Sequence, residues 1–206
     1  MVAFVSIGVE TSGLTVANAA GVSVGDLLLL VSHSDDDITI TPPAGWTSGL
    51  RIAAGGGLFG LQYAWIVADS TAAAATDFTY TRDFSTSSRT YIVCFSGNHA
   101  TTPIRENQGT SPLSTAAASP LSIALTGVTP SANDAVVYIG HVRPGTFTDR
   151  WSFAAPGSYT ERMDFNADGL SGTLATRDNV SAGATGTLTG TGTITVGSSN
   201  GQFAGI

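Results

Sequence analysis

The chain has 206 residues and a formal net charge of −7, and only 11% of its residues are charged although 42% are hydrophobic. Thr, Ser, Gly and Ala make up about half of the chain, and all eight basic residues are Arg. Since Lys and Glu are common on helices whereas Thr and Val favour strands, this composition excludes a helical bundle and a coiled coil. A chain of this length can bury a core without disulfides or metals.

The same composition argues against several kinds of partner. Eight scattered Arg residues in a chain with a pI of about 4.6 form no basic stripe, so we expect no nucleic-acid binding. The longest purely apolar run, residues 27–31, is far too short to span a membrane. The first residues lack the basic region of a signal peptide. Cys94 is the only cysteine, so the chain can form no internal disulfide.

Short apolar runs bounded by turn residues predict strands along the first half of the chain. They cover residues 24–32, 61–68, 78–81 and 89–97. Turns rich in Gly, Pro or Asp separate them, at residues 35–37, 42–45 and 55–57. The alanine runs 72–75 and 116–118 have no apolar helical face, so both are predicted to be loops.

An internal repeat relates the two halves of the chain. Residues 25–33 resemble residues 133–141, which aligns Asp26 with Asp134 and His33 with His141. Further matches join residues 43–47 to 156–160, residues 68–76 to 177–185, and the strand at 89–97 to residues 201–206.

Each unit offers four or five strands, which would leave one face of its sheet uncovered. We therefore predict one domain, residues 1–206. Its fold class is all-β, a two-sheet antiparallel, jelly-roll-like sandwich built from the pseudo-repeat units 1–109 and 110–206. The alternative is two small independent domains.

Two catalytic motifs occur outside their structural context. Residues 21–25 spell G-x-S-x-G, but a predicted strand follows where a nucleophile elbow needs a helix. Residues 55–60 spell G-x-G-x-x-G, again with no helix to bind a pyrophosphate. No catalytic triad or carboxylate pair can be assembled. We predict that the protein is not an enzyme.

His33 and His141 occupy equivalent positions in the repeat. Two such histidines can meet on a metal, although ligation needs about three or four converging groups. The alternative is that each is an ordinary half-exposed polar residue at the end of a strand. His99 lies in a loop with no visible partner.

Asp164, Asn166 and Asp168 are the candidate metal ligands, because D-x-N-x-D-G matches the first half of a calcium loop. The second half departs from the motif, since Ala175 stands where a bidentate Glu belongs. Residues 35–37 form a second acidic cluster. Acidic turns are common without metals, so no cofactor is predicted and Ca²⁺ is the alternative.

Loop aromatics are the candidate glycan contacts. Trp46 follows Pro-x-Gly and corresponds to Tyr159 in the repeat. Aromatic rings on the loops of a sandwich can stack on sugars, but a position present in both units favours a buried plug. Trp151 remains open to either role. Cys94 lies within a predicted strand and is predicted to be a small core residue.

The combination of several short motifs resembles β-sandwich domains of phage and prophage virion proteins. In the first half the motifs are Gly25-Asp26-Leu27-Leu28-Leu29-Leu30, Pro42-Pro43-Ala44-Gly45-Trp46-Thr47, Tyr63-Ala64-Trp65, Phe95-Ser96-Gly97 and Thr102-Pro103-Ile104. Residues 156–162 and 182–185 continue the resemblance, and residues 164–169 depart from it.

The resemblance implies a virion structural protein, a capsid decoration or a tail or spike module that binds other virion proteins. It places the protein on the surface of the particle, and in the host cytoplasm before assembly, and it implies no catalytic residues. The alternative function is a carbohydrate-binding, lectin-like module for host attachment.

Two nearly uncharged segments, residues 4–9 and 185–205, are predicted to contain exposed strand edges. Such edges invite pairing with other chains, and Lys residues that commonly guard them are absent. We therefore expect other copies of the chain or capsid and tail proteins to cover these segments, which predicts a homo-oligomer in the particle.

Overall fold

The computed structural model of the protein describes residues 1–53, 60–83, 87–105, 121–125, 127–143, 151–154, 158–167, 170–194 and 202–205. Within these ranges the chain forms sixteen strands and one short helix. In chain order they are β1 (Ala3–Ile7), β2 (Thr15–Ala17), β3 (Leu27–Ser34), β4 (Ile40–Thr41), β5 (Thr47–Ala53), β6 (Gly60–Val67), α1 (Ser70–Ala74), β7 (Asp77–Thr79), β8 (Thr81–Arg82), β9 (Ser88–Ser96), β10 (Leu121–Leu125), β11 (Val136–Arg143), β12 (Trp151–Ala154), β13 (Thr160–Ala167), β14 (Leu170–Arg177), β15 (Leu188–Ile194) and β16 (Gln202–Gly205).

Two large antiparallel sheets dominate the fold. The first has the strand order β1-β9-β3-β6-β5 and the second has the order β13-β14-β11-β16. Three smaller sheets, β10-β15-β12, β2-β7 and β4-β8, accompany them. The predicted all-β, antiparallel and sandwich-like fold is confirmed, although the description as two sheets misses the smaller ones.

The main hydrophobic core lies between the two large sheets. Leu29 and Val31 of β3 belong to the same buried cluster as Ile139 of β11 and Leu174 of β14. Residues of one face of each sheet therefore pack against each other, as in a sandwich.

A second core covers the opposite face of the first sheet. Leu28 and Leu30 of β3 pack there with Trp46, Tyr80 and Cys94. As a result every residue of β3 is buried. A strand that is buried on both faces needs apolar side chains on both, which explains the uninterrupted leucine run in the sequence.

The two large sheets have corresponding strand orders. In the first sheet β3 pairs with β6 on one side and β9 on the other. In the second sheet β11 pairs in the same way with β14 and β16, and β5 and β13 occupy the next positions beyond β6 and β14. This correspondence favours a duplicated unit, which stays a prediction.

Hydrogen bonds at the start of the two central strands also correspond. Asp26 accepts a bond from the backbone N–H of Ser23, and Asp134 accepts one from that of Ser131. The backbone of residue 26 bonds to that of Ala68, whereas the backbone of residue 134 bonds to that of Val180. The equivalent of Ala68 is therefore Val180, three positions beyond the residue that the sequence alignment selects.

The alanine-rich segment after β6 forms a helix, so the prediction of a loop there is wrong. Asp69 caps α1, and its carboxylate accepts a 2.8 Å hydrogen bond from the backbone N–H of Ala72. The cap and the burial of Ala72 stabilise a helix that is too short to be stable alone. The other alanine run, 116–118, lies outside the described residues. Among the described residues, no helix has the length and apolar character needed to cross a membrane.

The edge of the first sheet at β1 is covered by the second half of this chain. The backbone N–H of Val2 donates to the carbonyl of Asn133 at 2.9 Å. The N–H of Phe4 donates to the Asp178 carboxylate at 3.2 Å. The Arg162 guanidinium also lies 4.2 Å from the centre of the Phe4 ring. These contacts cover the start of β1 within the chain, whereas cover of the terminal segments by another protein stays a prediction.

Candidate functional site

Two matching rows of side chains face each other between the large sheets. They come from the central strands β3 and β11, with Ala135 immediately before β11, and alternate residues point to the same face. The first row is Leu27, Leu29, Val31 and His33, and the second is Ala135, Val137, Ile139 and His141. The two rows meet closely at their histidine ends and enclose a cavity at their other ends.

His33 and His141 meet directly in the core. Their Nδ1 atoms are 3.0 Å apart, and their ring centres are 5.1 Å apart. Neither residue has any exposed surface. The sequence raised the possibility that they meet, but the alternative of half-exposed polar residues is wrong. His33 is the next-to-last residue of β3, at the predicted strand end, and it is buried there because His141 and Phe165 of the second sheet pack against it.

Aromatic rings hold His33 in place. Its Nε2 atom lies 3.1 Å from the hydroxyl of Tyr91, and the two rings are stacked with centres 5.6 Å apart. Phe165 of β13 approaches the His33 ring edge-on at 5.0 Å. Gly172 of β14 makes room for this arrangement, because a Cβ atom there would lie 2.5 Å from Phe165 and 2.8 Å from His33.

Tyr91 and Phe165 were not predicted from the sequence as members of this cluster. The signal available for Tyr91 was its alternation with Val93 and Phe95 along β9, which places all three on the inner face. Which inward residue reaches His33 depends on how the sheets pack.

Burial determines the protonation state of the cluster. It lowers the pKa of His33 well below the usual value of 6.5, and the neighbouring His141 lowers it further. Burial also raises the pKa of Tyr91 well above 10.0. Burial therefore favours the neutral forms of His33 and Tyr91, whose Nε2 and hydroxyl lie within hydrogen-bond distance of each other.

The histidine pair joins the two sheets by a polar contact inside an apolar interior. Two imidazole nitrogens converge here. Within the described ranges, no group of three or more His, Cys, Asp or Glu side chains is placed to hold a metal ion. The two rings make a specific polar contact between the sheets.

A cavity of about 170 Å³ occupies the other end of the interface. Leu27 and Leu29 line it from the first sheet, and Ala135 and Val137 line it from the second. Its mouth is formed by His99, Thr102 and the ion pair between Arg105 and Asp134, whose Nε and Oδ2 atoms are 3.0 Å apart.

His99, for which the sequence showed no partner, does have one, because its Nδ1 atom accepts a 3.3 Å hydrogen bond from the backbone N–H of Thr102.

Two of the three candidate calcium ligands lie in a strand and not in a loop. Asp164 and Asn166 belong to β13, and both are exposed on the same side of that strand. Ala167 pairs with Leu170, so the strands β13 and β14 are separated by two residues. The Asn166 side-chain oxygen accepts a 3.2 Å hydrogen bond from Ser171. Asp168 lies outside the described residues.

The acidic cluster at residues 35–37 is part of an ion pair. The Asp37 carboxylate contacts the Arg51 guanidinium, which also donates a 3.3 Å hydrogen bond to the carbonyl of Ile38. This pair ties the loop before β4 to the edge strand β5, which is a structural role.

The predicted plug position is confirmed for Trp46. Its side chain is only 9% exposed and packs edge-on against Phe78 with ring centres 5.1 Å apart. Tyr159 is half-buried. Trp151 begins β12, and its side chain lies outside the described part of the chain.

Cys94 is fully buried, which confirms its predicted place in the core.

Comparisons with models of known protein families, with curated proteins and with solved structures found no match to this chain.

Proposed function

We propose that the chain is a structural protein of a virion, a capsid decoration or a tail or spike module that binds other virion proteins. The proposal rests on the sequence motifs that resemble virion β-sandwich domains, and its non-catalytic part is supported by the burial of the groups capable of acid–base chemistry at the centre of the fold. His33, His141 and Tyr91 have no exposed surface, so no substrate reaches them in the folded state. These three side chains contribute to the packing between the sheets.

A second support is the way in which the two halves hold each other. Phe4 at the start of the chain contacts both Asp178 and Arg162 in the second half. Contacts of this kind restrict movement between the halves and cover a strand edge, which suits a module that must persist on the outside of a particle. The acidic net charge helps to keep such a module soluble before assembly.

The alternative function, glycan binding, lacks support from the described aromatics. Stacking on a sugar needs an exposed ring, and Trp46 is buried against Phe78. Among the residues whose side chains are described, no Trp or Tyr is exposed. Trp65 and Tyr159 are half-buried, and the side chain of Trp151 lies outside the described part of the chain, so glycan binding stays the alternative.

The test is to ask whether the protein belongs to purified particles. We expect its peptides to co-purify with density-banded particles at a fixed stoichiometry. We also expect recombinant chain, added to particles that lack it, to rebind at defined positions visible by electron microscopy. Recovery of the protein only in the soluble fraction, with no rebinding, contradicts the proposal. Saturable binding to host glycans on an array, with no binding to particles, supports the lectin alternative instead.

The predicted homo-oligomer is part of this proposal. Sedimentation of the free protein and counting of copies on the particle test it together. A protein that is monomeric in solution and occurs as isolated single copies on particles contradicts the homo-oligomer and leaves the virion role intact.

A further inference from the structure

We propose that the cavity between the large sheets is a binding site for a small uncharged molecule with an apolar body, about the size of one aromatic ring or a short alkyl chain. The inference is independent of the virion role, because it rests only on the shape and chemistry of the interface between β3 and β11.

The size of the cavity is the first argument. The cavity opens to solvent at the rim formed by His99, Thr102 and Arg105. This cavity measures about 170 Å³. An apolar cavity of about 150 Å³ stays dry and takes up benzene, so the volume here suits one ring with a small substituent.

The cavity arises from a difference between equivalent positions. Leu27 and Leu29 of the first row correspond to Ala135 and Val137 of the second, which are smaller. The smaller side chains leave space between the sheets at this end. Phe95 and Ile139 line it farther inside. The walls are therefore mainly carbon, and they favour apolar matter over water.

The residues at the mouth of the cavity favour an uncharged ligand. Arg105 and Asp134 form an ion pair there, and Asp134 also accepts a 2.7 Å hydrogen bond from the backbone N–H of Ser131. Because the two charges compensate each other, the mouth offers no net charge to an ionic head group. The exposed hydroxyl of Thr102 lies 3.0 Å from Nδ1 of His99, and its oxygen can still accept a hydrogen bond from a hydroxyl of the ligand. A hydroxyl at the outer end of the ligand fits this rim.

Three probes test the proposal on the full chain by amide NMR titration. Toluene supplies the apolar body, p-cresol adds a hydroxyl, and 4-methylbenzoate adds a charge. We expect saturable shifts at Leu29 and Val137 with p-cresol and toluene. The carboxylate is expected to bind at least tenfold more weakly than p-cresol.

Filling the cavity is the second arm of the experiment. Ala135→Leu places additional carbon atoms in the cavity, and its matched control Ala17→Leu makes the same change on the exposed face of β2. We expect Ala135→Leu to weaken p-cresol binding at least tenfold and Ala17→Leu to leave it unchanged. Val137→Phe is an independent filling variant in case the first does not fold.

The proposal is overturned if neither neutral probe gives saturable shifts at the lining residues. It is also overturned if a folded filling variant binds p-cresol as tightly as the original chain, or if the carboxylate binds as well as p-cresol.

Discussion

The Nδ1 atoms of His33 and His141 lie 3.0 Å apart although 108 residues separate the two in the chain. The contact joins the central strands of the two large sheets, with Val31, Ile139 and Phe165 beside it and Arg89 paired with His33 on the neighbouring strand β9. Because both rings are fully buried, the contact makes the stability of the sandwich sensitive to protonation.

We expect the stability to fall in acid. Burial, and secondly His141, lower the folded-state pKa of His33 well below its unfolded value of 6.5. The unfolded chain therefore binds more protons below that pH. The contribution is fully present above about pH 6.5 and is lost as the pH falls from there towards the folded-state pKa, by at most about 1.4 kcal/mol per pH unit. Urea unfolding at pH 8, 7, 6 and 5 measures it.

The variant His33→Gln separates this effect from the titration of carboxylates. It is less stable at pH 8 but has a flatter profile between pH 7 and pH 5, because no imidazole titrates at that position. His99→Gln, a change at an exposed position, is the control and retains the original slope. A slope that is the same in all three proteins contradicts the assignment to His33.

Gly172→Ala is expected to destabilise the fold by about 1–3 kcal/mol, because overpacking a core forces side chains out of their positions. The new Cβ would lie 2.5 Å from Phe165 and 2.8 Å from His33. The control is Gly13→Ala, whose nearest contact is 3.4 Å away. Denaturant unfolding compares the two, and equal stabilities contradict the close packing around His33.

The thiol of Cys94 is expected to be unreactive in the folded protein. Burial, and then the adjacent Asp26 carboxylate, raise its pKa from 9.0 to about 12. At pH 8 this leaves about one thiolate in 10⁴ molecules. A thiol-specific reagent such as DTNB measures the reaction rate, which rises steeply once urea unfolds the chain. Asp26→Asn increases the rate in the native state, and rapid labelling of the unchanged folded protein contradicts this prediction.

Asp178→Ala is expected to loosen the first strand. The carboxylate accepts bonds of 3.2 Å from both the Phe4 N–H and the Arg162 guanidinium. Its removal leaves these donors without their partner, at a cost of about 1–3 kcal/mol. Amide hydrogen exchange measures the local effect, and exchange at Phe4 accelerates. The control Asp77→Asn changes an exposed acidic residue and leaves exchange at Phe4 as it was.

Calcium is expected to leave the stability unchanged. Asp164 and Asn166 lie on the exposed side of an antiparallel strand, and the Asn166 side-chain oxygen already accepts a hydrogen bond from Ser171. Thermal unfolding in calcium and in EDTA provides the measurement. A rise in Tm with calcium that Asp164→Asn abolishes would restore the metal site.

Apolar runs in the sequence predicted the central strands, because a strand buried on both faces leaves a strong signal. The run of leucines located β3 to within a few residues. The sequence placed the end of this strand at residue 32, whereas β3 extends to Ser34. The polar residues Ser32 and His33 are buried because they contact β9 and β11. The helix α1 was missed because its stability depends on the cap at Asp69 and the burial of Ala72.

The candidate site was predictable only in part. The repeat in the sequence predicted that His33 and His141 occupy equivalent positions. Two equivalent side chains can meet if they lie on a local twofold axis that relates the two units. The cavity was not predictable, because it depends on the sizes of Ala135 and Leu27 across a gap between sheets. The expected loop at Asp164 and Asn166 was wrong because a motif of oxygen ligands fits an exposed strand face as well as a loop.

The hydrogen bond between the two histidines is also directional. One hydrogen occupies the space between the Nδ1 atoms, so one ring donates and the other accepts, whatever the symmetry of their surroundings. Two identical chains meeting in this way would have two equivalent arrangements to choose between. In a single chain the partners can be made different, and here Tyr91 lies against Nε2 of His33. Joining both halves in one polypeptide thus gives this protein a means to favour a single tautomer at a place where a symmetric dimer would fluctuate between two.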